Sequence, residues 1–127
     1  MIVVYGLKHR LNPIKKELSD VIHRCMMFAL DFPEHKRVQR FIGLDAEDYY
    51  YPSDRSDAYT IIEINMMSGR SVEAKKLLIR MLFDEIYKQL KIKPSDIEIT
   101  IKEQEPHCWG FRGMTGDEAS FNYNTKR

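Results

Sequence analysis

The sequence predicts an α+β domain built from two consecutive β-α-β units, giving a four-stranded mixed sheet with two helices on one face. Three observations lead there. The order strand, helix, strand occurs twice within 127 residues, the second unit beginning about 60 residues after the first. A proline, Pro33 and then Pro94, breaks the chain after each helix and before the next extended run. The last extended run alternates strictly between apolar and polar residues, as a strand covered on one side does.

The first strand is the apolar run Ile2 to Tyr5. Asn12 can cap the helix that follows through its side-chain oxygen, and Pro13 suits a first helical position, where no amide donor is needed. That helix runs to about Leu30 and places Ile14, Leu18, Val21, Ile22, Cys25 and Phe28 on one inward stripe. His23 lies beside the stripe and reads as structural. The second strand is Val38 to Leu44.

The second unit opens with Thr60 to Met67, more continuously apolar and therefore expected to be central. Ser71 caps a helix reaching about Leu90, with Ala74, Leu77, Leu78, Met81, Leu82 and Ile86 as its main stripe. Ile79, Phe83 and Tyr87 add a second row, wider than one sheet face requires. Either the helix is deeply buried or a neighbouring subunit covers it. In the fourth strand, Ile97 to Glu103, Ile97, Ile99 and Ile101 face one way and Glu98, Thr100 and Lys102 the other. Each crossover is long enough to make its two strands parallel and right-handed in connection.

These boundaries describe one domain, 1–127: repeat one at about 1–44, a connection at 45–58, repeat two at about 59–103 and a C-terminal segment at 104–127. The connection, with Tyr49-Tyr50-Tyr51 and Asp54-Arg55-Ser56-Asp57, is expected to be structured: its aromatics need something to pack on, and the second motif reads as a turn braced by an ion pair. Trp109-Gly110-Phe111-Arg112-Gly113 suggests tight turns or a short hairpin holding aromatics over a surface. The last few residues are expected to be mobile. The uncovered sheet face, expected to mix Glu63 and Asn65 with Ile62 and Met67, must meet water or be buried by subunits around a common axis. The Trp109 segment would then complete a neighbour's edge.

Composition excludes several classes of function. Twenty basic and 19 acidic residues leave a net charge of +1, which gives no general attraction to nucleic acid or to an anionic membrane. The apolar runs are too short to span a bilayer. Cys25 and Cys108 form no disulfide framework, so a reducing cytoplasm is the expected compartment. His9, His23, His35 and His107 lack metal-ligand spacing, and no phosphate loop, dinucleotide fingerprint or nucleophile elbow occurs, so neither a metal nor a cofactor is expected.

The duplicated unit, the turn Ser68-Gly69-Arg70-Ser71 followed by Glu73, the run Lys93-Pro94-Ser95-Asp96-Ile97 and the triplet Trp109-Gly110-Phe111 together resemble the tautomerase superfamily. The resemblance spans Met1 to about Phe111 and is to the long, malonate semialdehyde decarboxylase-like branch of the 4-oxalocrotonate tautomerase/MIF fold. It implies two parallel strand pairs set antiparallel to each other and a homotrimer. Family chemistry uses an amino-terminal proline as acid or base. The matching position here is Met1, and Ile2 is too bulky for removal of the initiator methionine, so the group expected there is a primary α-amine. Such an amine titrates near 7.7–8.0, and a neighbouring cation or burial lowers that value. It can relay a proton or condense with a carbonyl compound.

Arg70 matches the family arginine that binds a substrate carboxylate, a role suited to a charged donor fork; otherwise it is a turn arginine in a surface ion pair. A second family arginine is Ser68 here. Where the decarboxylase has an acid after its first helix this chain has Lys36, which either binds an anionic substrate or is a solvated loop lysine. Trp109 and Phe111 match the aromatic pocket wall, though packing alone would also account for them. Two functions follow: acid/base chemistry on a small carboxylated enol or carbonyl compound, or a non-catalytic protein that keeps the trimer and the anion-binding pocket.

Overall fold

The computed structural model describes residues 1–119. The expected mobility of the chain's end falls largely on positions 120–127, outside the described residues. The elements are β1 (Ile2–Leu7), a one-turn helix α1 (Lys8–Leu11), α2 (Lys15–Leu30), β2 (Gln39–Leu44), β3 (Thr60–Met67), α3 (Val72–Leu90), β4 (Ile97–Gln104) and a hairpin of β5 (Gly110–Phe111) and β6 (Met114–Thr115). The main sheet has the order β2-β1-β3-β4. β1 pairs parallel with β2 and β3 parallel with β4, while the two inner strands run antiparallel, Ile2 opposite Ile64 and Val4 opposite Ile62.

Alternation decides which side of the sheet is dry. Along β3, Thr60, Ile62, Ile64 and Met66 are buried and the residues between them are half-buried. Ile2, Val4, Ile62 and Ile64 join Leu18, Ile22, Cys25 and Leu30 of α2 and Leu78, Leu82 and Ile86 of α3 in one apolar cluster. Both helices therefore cover the same face, and burying side chains of this size contributes about 1.5–3 kcal/mol each. Ile62 belongs to this helix face. The mixed outer face has Glu63, Asn65 and Met67 without it, because neighbouring residues in a strand point opposite ways.

Some local expectations fail for identifiable reasons. Asn12 caps no helix: Lys8–Leu11 is already helical, Asn12 ends that turn in αR geometry, and the longer helix starts at Lys15 behind Ile14 with no side-chain cap. The Asn12 oxygen accepts instead from Lys15 Nζ at 3.3 Å. Ser71 does cap α3, accepting from the Ala74 amide at 3.1 Å. Phe28 and Leu77 leave the core, at 65% and 38% exposure, because buried neighbours such as Leu18, Ile22 and Ala29 or Leu78 and Leu82 set stripes that turn those positions outward. The second row of α3 is half-buried at Ile79 and Phe83 and exposed at Tyr87.

The connection 45–58 covers one end of the outer face. Tyr49 and Tyr59 are buried with Leu7, and Tyr51, Leu44 and Ile61 pack against them. Tyr51 stacks on Tyr59 at 5.9 Å between ring centroids, and the Tyr49 hydroxyl donates to the Tyr59 carbonyl at 2.9 Å. Asp96, buried, pins the connection by accepting from the Ser56 amide at 2.9 Å and its hydroxyl at 2.6 Å. The Asp54–Arg55 ion pair, at 2.8 Å, closes the turn beside it. Among the described residues no helix is long and apolar enough to cross a membrane.

Candidate active site

The antiparallel register of β1 on β3 brings Met1 against Asn65. The Met1 amine donates to the Asn65 carbonyl at 2.7 Å, and the Asn65 amide donates back to the Met1 carbonyl at 2.8 Å. Burial first, then the positive charge of Arg40, lowers the amine's pKa from its ordinary 8.0. Arg40 lies on the neighbouring strand, opposite Val3. Removing an ammonium from water and placing a cation near it both favour the neutral form.

Met1, Lys36, Arg70, Trp109 and Phe111 all line one cavity of about 400 Å³, together with Met26, Leu30 and Phe32 of the first unit, Asn65, Met66 and Met67 of β3, Val38 and Arg112. Separate elements position them. Lys36 follows the α2 break, and Arg70 sits in the turn between β3 and α3. Trp109 and Phe111 are carried by the terminal hairpin, whose two-residue turn has Arg112 and Gly113 at φ 52° and 76°. Such positive values match the twist of a tight hairpin. Gly116 anchors the hairpin: its amide donates to the Trp109 carbonyl at 2.7 Å, and a Cβ there would collide with the Pro106 carbonyl oxygen. The Trp109 segment pairs with itself and walls the cavity of its own chain.

Arg70 is buried, at 8% exposure, and its Nη1 donates to the Leu30 carbonyl at 2.7 Å. This carbonyl belongs to the last turn of α2, where no intrahelical donor is available. Arg70 is therefore a buried internal cap that joins the two repeats. It faces the cavity at the same time. His23 has a structural partner too, its Nε2 lying 2.8 Å from the Glu34 carbonyl.

Sequence reasoning missed the Asn65 and Leu30 carbonyls, since backbone acceptors leave no trace in side-chain identity. It also missed Arg112 and Phe32. For Arg112 a signal existed: it stands beside the glycine of a tight turn, directly after Phe111. Among the described residues the acids close enough to share a cation are Asp45, Glu47 and Asp48, all exposed and none lining the cavity.

Residues 36–112, more than half of the chain, match the family described as tautomerase enzyme, and the chain belongs to that family. Solved structures share its fold. Malonate semialdehyde decarboxylase, described with decarboxylase and hydratase activities, superposes with a TM-score of 0.80 at 22% identity, covering 90% of this chain and 92% of that one. The R7 fused 4-OT, an asymmetric trimer, gives 0.81 at 20% identity over 91% and 95%. N1, of the cis-3-chloroacrylic acid dehalogenase family, gives 0.79 at 15% identity over 90% and 81%.

Proposed function

We propose that the cavity receives a small carboxylated enol or carbonyl compound and that the Met1 α-amine serves there as acid and base in place of a proline. The observation that carries this reading is the convergence of that amine, two cationic side chains, Arg70 and Lys36, and two aromatic walls on one cavity. Arg70 would hold the carboxylate. A neutral primary amine that donates one N–H to Asn65 still has its lone pair. It would take the proton next to the carbonyl, leaving an enolate stabilised by the cations, and the resulting ammonium would return the proton at the other carbon or at oxygen. Trp109 and Phe111 would keep water away from the enolate.

A second reading has its own support. The amine is already tied into the β1–β3 register, and the flexible Met1 side chain shares the space in which the chemistry would occur. A protein that binds the same ligand without turning it over fits these facts. Turnover of phenylpyruvate or 2-hydroxymuconate by the purified protein separates the two. Proton exchange or ketonisation that falls at least tenfold in Arg70→Met supports the enzyme. Binding without turnover, unchanged when proline is installed by Met1→Pro, supports the binder.

The chain is also proposed to assemble as a homotrimer, as the fused 4-OT relatives do. On its outer sheet face the half-buried Tyr5 hydroxyl and the exposed Lys102 Nζ both donate to the half-buried Glu63 carboxylate, each at 3.1 Å. Sedimentation at three times the 15.1 kDa chain mass would support this assembly, and a monomer at micromolar concentration would sink it.

A further inference from the structure

Met66 and Met67 end β3 with side chains on opposite faces of the sheet, and both line the large cavity with Met1 and Met26. Four of the chain's seven methionines thus surround one space. At the positions equivalent to Met26, Met66 and Met67 in the other repeat stand Ile86, Gly6 and Leu7, so the sulfur belongs to this end alone. Met67 also reaches the hairpin. Its methyl group packs on Gly116: a Cβ built on that buried glycine would stand 3.1 Å from the Met67 Cε. Gly116 is thereby held between this methyl group and the Pro106 carbonyl. The hairpin has two strands of two residues each, too few to hold its position alone. Its place over the cavity therefore depends on such contacts, and Trp109 and Phe111 move with it.

We propose that Met67 is a redox-sensitive latch: its oxidation to the sulfoxide by a hydroperoxide releases the hairpin and opens the aromatic wall of the cavity. Met67 is half-buried and lines a cavity wide enough to admit hydrogen peroxide. The sulfur lone pair attacks one peroxide oxygen and the O–O bond breaks. The thioether loses two electrons and becomes the sulfoxide, while the other oxygen leaves as water with both hydrogens. The product is polar where the thioether was apolar. A sulfoxide oxygen kept in a close apolar contact without a donor is costly, so it turns to water and draws the methyl group off Gly116. A methionine sulfoxide reductase reverses the step. The other use of clustered thioethers is to hold a soft metal ion. Lys36, Arg70 and Arg112 line the same cavity and no acidic side chain does, which disfavours a cation there. The latch does not depend on the ligand proposed for the cavity.

Trp109 is the only tryptophan, half-buried and carried by the hairpin, so its fluorescence reports the latch. The full chain is used with Cys108→Ser, which removes an exposed thiol beside the reporter that peroxide would also oxidise. On treatment with hydrogen peroxide, peptide mass spectrometry is expected to find the sulfoxide at Met67, with Trp109 emission moving to longer wavelength in step. Methionine sulfoxide reductase should return the emission to its starting position. Met67→Leu keeps the apolar volume and should abolish the shift. Met114→Leu, at an exposed position of the same hairpin, should leave it intact. Met67→Gln should show the shifted emission without peroxide. A shift that survives in Met67→Leu, or Met67 sulfoxide with unmoved emission, would overturn the latch. So would a Met67 that stays reduced while Met27 and Met81, half-buried elsewhere, are oxidised.

Discussion

At one end of the β1–β3 pair a cavity of about 400 Å³ opens among Met1, Leu30, Phe32, Met66, Met67 and Arg70, whereas at the other end the space among Leu90, Ile92, Gly6, Leu7 and Arg10 is about 70 Å³. Apart from Met1, these residues correspond one for one across the repeat, about 60 positions apart. The helices even stop alike, with Asp31 and Lys91 in the left-handed conformation at φ 54° and 61°. What differs is the chain at the centre of each end. Met1 stands at the open end, while Ala58-Tyr59-Thr60 runs through the closed one with the tyrosine cluster packed behind it. The arginines diverge accordingly. Arg10 is drawn outward into an exposed ion pair with Asp57, and Arg70 turns inward to Leu30. Duplication thus supplies two equivalent positions, and the chain path decides which stays open.

The comparison can be broken first at the core, where the two halves should be indistinguishable. Leu18 and Leu78 occupy equivalent positions and are both at 0% exposure. Leu18→Ala and Leu78→Ala are each expected to cost about 3–4 kcal/mol in denaturant unfolding and to agree within about 1 kcal/mol. A difference much larger than that would mean that the repeats do not share one core.

The closed end should depend on its pin. Asp96→Ala removes the acceptor of two hydrogen bonds from Ser56 and is expected to cost about 2 kcal/mol. Burial alone would raise the Asp96 pKa, but the Ser56 hydroxyl and amide, together with the charges of Lys93 and Arg55, more than offset it and hold it below the ordinary 3.8. The native state thus prefers the carboxylate. That stability is present above about pH 4, is lost as pH falls through the lowered value, and should be missing from the acid-unfolding profile of Asp96→Ala. Superimposable acid limbs would contradict it.

The starts of the two long helices give a smaller contrast. Ser71→Ala should cost about 1 kcal/mol, because the side chain caps α3. Asn12→Ala should stay within about 0.5 kcal/mol, because Asn12 caps nothing and is exposed. Equal effects on the melting temperature would mean that both helices start in the same way after all.

The smallest effect lies at the open end. The Met1 amine's pKa is lowered, so folding favours its neutral form; the cost is absent well above pH 8 and appears as pH falls through 8 toward the folded value. Acylation of the amine by a limiting amount of active ester should therefore have its pH midpoint below 8.0, moving upward in Arg40→Gln. A midpoint at or above 8.0 would mean that the amine is as well hydrated as in a free peptide.

Much of the fold was legible because periodicity is a property of side chains. Alternation in β4, the apolar run of β3 and the Ser71 cap place those elements within a residue or two. The helix face of Ile62 was misread because a continuously apolar strand does not show its own phase. The one-turn helix at Lys8–Leu11 was invisible because four residues cannot display a period, and it displaced the Asn12 cap. The tyrosine cover over the outer face was foreseen as packing but not as to where. At the candidate site, the repeat and the turn motifs drew attention to Met1, Arg70, Lys36, Trp109 and Phe111. The Leu30 and Asn65 carbonyls and the left-handed Arg112 depend on backbone positions that only the folded chain defines.

The central claim is that a carboxylated carbonyl compound held by Arg70 lies within reach of the Met1 amine. Incubating the protein with 2-oxobutyrate and borohydride tests it directly, since condensation expels water to form an imine that hydride reduces to a stable secondary amine. Peptide mass spectrometry should find the adduct on the Met1 nitrogen and should find it largely lost in Arg70→Met. An unmodified Met1 beside modified surface lysines, or a Met1 adduct indifferent to Arg70, would contradict the account.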